Sequence, residues 1–98
     1  MPKYKLRIYE DFSERLNYYT NWYYSKGGIH LADDFTIEIL QCLNIIESNP
    51  YIASNFGDLN TKKYVVQKYP LLIFYEISSN QNNIVDVVAL IHQKQNYQ

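Results

Sequence analysis

Polar and apolar positions alternate from residue 3 to residue 9. Lys3, Lys5 and Arg7 fall on one side, and Tyr4, Leu6 and Ile8 on the other. Period two with one apolar face is the pattern of a half-buried strand, and the lysines place it at a sheet edge. At Glu10 the period changes. Phe12, Leu16, Tyr19 and Tyr23 recur at spacings of four, three and four, which draws one stripe along a helix, with Trp22 flanking it. Asp11 and Glu14 lie in or near the first turn, where negative charge suits the helix dipole. Lys26-Gly27-Gly28 then supplies a cation and two glycines, a stop signal. A second helical pattern runs from Ile29 or His30 to Ser48, with Ala32, Phe35, Ile39, Leu43 and Ile46 on its stripe and Leu40 widening it. Asn49-Pro50 closes it. Two helices around a Gly-Gly turn predict an αα-hairpin whose apolar faces need a sheet to cover.

Residues 51–61 hold Asn55, Gly57, Asp58 and Asn60 and read as a loop, and residues 62–67 as a weakly alternating strand. The most apolar run of the C-terminal half follows, from Lys68 to Ile77, with its proline near the start, where a missing N–H is tolerated. A polar turn over residues 78–83 leads to a second apolar run, Ile84 to Ile91. Two such runs about one polar turn predict a β-hairpin at the middle of the sheet. The order is β-α-α-β-β-β. The expected fold is α+β, a four-stranded antiparallel sheet packed against a helical hairpin, in one domain over residues 1–98. Within the strand, Ile73 and Tyr75 fall on one side and Leu72 and Phe74 on the other, so both faces need a cover. Asp86 alternates with Ile84, Val88 and Leu90. Either that face is open or the carboxylate has a buried partner.

Composition changes this picture little. Eleven tyrosines among 98 residues place many phenols at the boundary between core and solvent, where a ring is buried and a hydroxyl is satisfied. The lone cysteine, Cys42, excludes an internal disulfide and fits a reducing compartment; it sits in the apolar pattern of the second helix, as a buried thiol does. No apolar run is long enough to span a membrane, no secretory leader is visible, and the cytoplasm is the expected location. One Cys and two distant His give no metal-ligand spacing, and no cofactor motif is present.

Charge is uneven. Residues 10–58 carry a net −6, and the two flanking segments together a net +5. A basic sheet half and an acidic helical half suggest an acidic partner on the sheet side. The only cluster with catalytic potential is small and basic: His92, Lys94 and Tyr97 after the last strand, with Lys68 at the start of its hairpin partner. His92 would be the acid or base. The bland alternative is a histidine capping the sheet among solvated lysines.

The ordered set of elements resembles the RelE/ParE superfamily of bacterial type II toxins, closest to the ParE-like branch. The residues that carry the resemblance are Ala32 and Phe35 early in the second helix, Asn49-Pro50, the run Lys68-Tyr69-Pro70-Leu71-Leu72-Ile73-Phe74-Tyr75-Glu76-Ile77, and Val88-Ala89-Leu90-Ile91-His92. The resemblance implies growth inhibition, plasmid stabilisation and a cognate antitoxin that covers the toxin, with Asp86, Tyr75 and Ile73 as candidate contacts. ParE-like members inhibit DNA gyrase. RelE-like members cleave mRNA on the ribosome with basic side chains, often with a tyrosine or histidine near the C-terminus. Here the place where an arginine often follows the histidine is Gln95, and the strand before Tyr69-Pro70 offers Lys62 and Lys63. These departures point toward target binding, with ribosome-dependent cleavage and an attenuated orphan toxin as the alternatives.

Overall fold

The computed structural model describes residues 4–57, 60–78 and 83–94. Strand β1 spans Lys5–Ile8, helix α1 Glu10–Ser48, β2 Ser54–Asn55, β3 Thr61–Val65, β4 Leu71–Ile77 and β5 Ile84–His92, with a 3₁₀ turn over Pro50–Ile52. The strands form one sheet in the order β1-β5-β4-β3-β2. The expected hairpin, β4 with β5, lies at its interior. Candidate Tyr97 falls outside the described residues.

Three expectations are corrected. The sheet has five strands rather than four, because two residues of the predicted loop, Ser54 and Asn55, pair with Lys63 and Lys62. It is mixed rather than antiparallel, because β1 runs parallel to β5, Lys5 opposite Ile84 through Ile8 opposite Val87. The two expected helices meet directly at a single non-helical residue, Gly28 at φ 78°, ψ −166°, with no turn of several residues between them. That conformation is open essentially to glycine alone. It bends the run sharply. Tyr23 and Phe35 lie twelve positions apart, roughly 18 Å along a straight helix, yet their ring centroids are 4.8 Å apart.

The bend brings the two predicted stripes onto one face of the sheet. Phe12 and Tyr19 from the first arm, and Phe35, Ile39, Leu43 and Ile46 from the second, join Leu71, Ile73, Tyr75, Val85, Val87 and Leu90 in one core. Full burial of such a side chain contributes about 1.5–3 kcal/mol. Leu40, expected to widen the stripe, is exposed. Cys42 and Glu38 are buried instead. The apolar arc turns toward the Cys42 side because Tyr64 of β3 packs there. The Cys42 thiol donates to Glu38 Oε2 at 3.9 Å. Burial and the neighbouring carboxylate push the thiol up to about 11.

Strand β4 begins at Leu71, three residues later than expected. Residues 67–70 form bends, in which the Leu71 amide donates to the Tyr69 carbonyl. At its other end Tyr75 donates its hydroxyl to the Pro50 carbonyl at 2.7 Å, which ties the strand to the end of the helix. Burial pushes that phenol up to about 12.

Candidate functional site

The β4–β5 register shifts between Phe74 and Tyr75: Phe74 faces Ala89 and Tyr75 faces Val87, so Val88 is an extra residue. This bulge rephases the strand. Leu90 turns to the helix, whereas Asp86 shares its face with Ala89, Ile91 and, across the pair, Leu72, Phe74 and Glu76. The alternation of Asp86 with Val88 and Leu90 expected from sequence is therefore interrupted. The outer face of the sheet carries Asp86 at its β1 end, and β1 supplies the partner, since Arg7 lies opposite Asp86. The Arg7 Nε donates to Asp86 Oδ1 at 2.5 Å. That hydrogen bond, with the charge of Asp86, raises Arg7 further above its ordinary value. The buried carboxylate is thus paired, which resolves the choice left open by the sequence.

Other outer-face groups are also engaged. Phe56 packs edge-on against Phe74 at 5.4 Å, and Lys63 Nζ lies over the Phe56 ring at 5.8 Å. Thr61 donates to Glu76 at 2.9 Å. Lys62, opposite Tyr75 and so on the helix side of the sheet edge, donates to the Ala53 carbonyl and to Asn55 Oδ1, and sits 5.5 Å from the Tyr51 ring centre. A polar groove of about 620 Å³ crosses this end of the sheet, lined by Arg7, Asp86, Glu76, Lys62, Asn55 and Tyr51 among others. Its carboxylates, Asp86 and Glu76, lie opposite each other, with Arg7 beyond one and Lys62 beyond the other.

The candidates named from sequence separate into three places. Asp86 lies in this groove. Ile73 and Tyr75 are wholly buried beneath α1, so a partner reaches them only by displacing the helix. Their outer-facing neighbours Leu72 and Phe74 are the strand's other apolar surface. His92 ends β5 opposite Leu71, and the Lys94 backbone amide donates to its Nδ1 at 3.1 Å. That bond makes Nδ1 an acceptor and leaves the ring proton on Nε2 in the neutral form. Its ring stands 6.2 Å from that of Tyr19. Lys94 and Lys68 are exposed, and Lys68 lies in the bends before β4 rather than on the strand. His92 and Lys94 are brought together by a local turn.

What sequence reasoning missed is the Arg7–Asp86 pair, which spans 79 positions, and Glu38. A charged residue inside an apolar strand is the visible signal for the first. For the second the helical spacing carried one: Glu38 stands four before Cys42 on the same face. Among the described residues no group of three or more His, Cys, Asp or Glu is placed to hold a metal ion. No described helix is long and apolar enough to cross a membrane.

None of the curated proteins matches the chain. A solved structure, described as a chromosomal ParDE toxin–antitoxin system from P. aeruginosa, shares the fold with a TM-score of 0.79 at 9% identity, over 92% of this chain and 96% of that one. The family model for the ParE toxin of the type II toxin–antitoxin system parDE matches residues 6–97. The chain belongs to the ParE toxin family.

Proposed function

We propose that this ParE-family protein acts by binding a cellular target, with DNA gyrase the candidate, and that a cognate antitoxin neutralises it. The observation that carries this reading is the state of the sheet's cations. Cleavage of RNA needs cations free to take phosphate charge and a base held against the 2′-hydroxyl. Here Arg7 is bound to Asp86, Lys62 to Ala53 and Asn55, and Lys63 lies over Phe56. His92 Nδ1 accepts from the Lys94 backbone amide. A groove whose charged groups are already engaged by hydrogen bonds within the chain supports recognition of a folded protein better than chemistry on a polyanion. The antitoxin reading draws support from the family match and from the ParDE system named for the solved structure. Asp86, beside Leu72 and Phe74, is the contact surface proposed for it.

Purified protein is expected to inhibit DNA supercoiling by gyrase and to leave mRNA intact on translating ribosomes. Induced expression is expected to arrest growth, and co-expression of an adjacent antitoxin gene to restore it. Site-specific mRNA cleavage, abolished by His92→Ala, would replace this reading with the ribonuclease one.

A further inference from the structure

The first arm of α1 places Tyr18, Tyr19, Trp22 and Tyr23 in two adjacent columns, and β5 ends beside them at His92. These five rings line a recess of about 240 Å³, the size of one long side chain rather than of a cofactor. The rings surround the space instead of stacking across it. Tyr18 meets Tyr19 at 77° and 5.3 Å, and Trp22 meets Tyr23 at 89° and 5.0 Å. Each edge-to-face pair leaves π-face open on its exposed ring, and an open π-face attracts a cation. Tyr18 and Trp22 are 57% and 46% exposed, so the outer wall of the recess faces solvent.

Two further observations select a cation over a neutral apolar group. Lys26 Nζ already lies 5.4 Å from the Trp22 ring centre, so a ring of this wall takes a positive charge in the structure itself. On the same helix, Asp11 and Glu14, with Arg15, line a separate recess against Ala89, Leu90 and Ile91 of β5. A chain segment entering the aromatic recess passes carboxylates within two to three turns.

We propose that this recess binds an arginine side chain of a basic peptide segment on a partner protein. The guanidinium packs on the rings of Tyr18 and Trp22, with the neighbouring carboxylates assisting its approach. This inference is independent of the gyrase and antitoxin readings, because it uses the opposite side of the sheet from the Arg7–Asp86 groove.

Trp22 is the only tryptophan in the chain, so its emission reports on the recess. The probe is acetylated, amidated tetra-arginine, titrated into the full chain at physiological salt. Its control is tetra-citrulline, which keeps the shape and lacks the charge. A saturable change in Trp22 emission is expected with tetra-arginine, and at least tenfold weaker binding with tetra-citrulline. Tyr18→Ala should weaken tetra-arginine binding about three- to thirty-fold. Lys26→Gln should strengthen it, because it removes the competing cation from Trp22. Both positions are exposed, and unchanged circular dichroism verifies that the variants fold. Equal binding of the two peptides, or no saturable signal, overturns the proposal. So does unchanged affinity in Tyr18→Ala, which would place the peptide on the carboxylates, or no gain in Lys26→Gln.

Discussion

The two faces of β4 and β5 are made of similar residues and are covered in different ways. The inner face presents Ile73, Tyr75, Val87 and Leu90 to two arms of one helix, and the cover is a continuous apolar core. The outer face presents Leu72, Phe74 and Asp86, all at least nine-tenths buried. Here Phe56 covers Phe74 and Arg7 covers Asp86. Many dispersed contacts hold the first face, and a few single partners serve the second. A face held by single partners can exchange them for those of another protein at small cost, whereas a face held by a shared core cannot. That difference suits the inner face to stability and is the basis for proposing recognition at the outer one.

Truncation tests the contrast most strongly. Phe35→Ala opens the inner core and should cost about 3–5 kcal/mol in denaturant unfolding. Phe56→Ala removes only an outer cover and should cost about 1 kcal/mol. Equal losses would break the distinction.

High pH sharpens it next. The folded state holds Tyr75 and Cys42 neutral up to about 12 and about 11, against ordinary values of 10.0 and 9.0. Both folded values are raised, so the stability they contribute is complete below the lower ordinary value. It is lost as pH climbs through the folded ones. A loss of about 2–3 kcal/mol for each group is expected between about pH 9 and 12. Tyr75→Phe should abolish the upper part of that loss and also remove the hydrogen bond to Pro50. Unfolding curves that are flat across this range in the unsubstituted protein would contradict the buried placement of both groups.

The bend at Gly28 is what lets one helix cover the inner face twice. Gly28→Ala forces a side chain into a backbone region it avoids and should cost about 1–3 kcal/mol. The smallest effect belongs to the outer face. Arg7→Gln should lower the thermal midpoint slightly, by an amount that shrinks as salt is raised. It should weaken antitoxin or target binding more than it weakens folding. The reverse order would make the pair a structural brace.

The inner face was largely legible in the sequence, since it is written in local periods. Phe12 through Tyr23, and Ala32 through Ile46, follow helical spacing, and Leu71, Ile73 and Tyr75 follow strand spacing. The outer face was not, because its content is long-range. Nothing local announces that β1 will lie parallel to β5, so Arg7 gave no sign of meeting Asp86. The extra residue at Val88 shifts the alternation in mid-strand, and no glycine marks it. Gly28 was read correctly as a break. How little of the chain the break would occupy depends on tertiary packing of Tyr23 against Phe35, which a one-dimensional pattern does not contain. The aromatic recess had a signal in the four-residue spacing of Tyr18 and Trp22, but its remaining wall comes from β5.

The position of β5 has a consequence for when the molecule comes into being. Among the described strands it alone is bonded to β1, and it flanks β4 on the side away from β3. Until residues 84–92 have been synthesised, β1 has no neighbour, Asp86 has not arrived for Arg7, and the inner faces of both helical arms lack the strand they pack against. Closing contacts that far apart in sequence is slow relative to local helix formation. The sheet therefore passes from incomplete to complete as residues 84–92 are added. A chain interrupted before β5 should fail to fold, which circular dichroism would show.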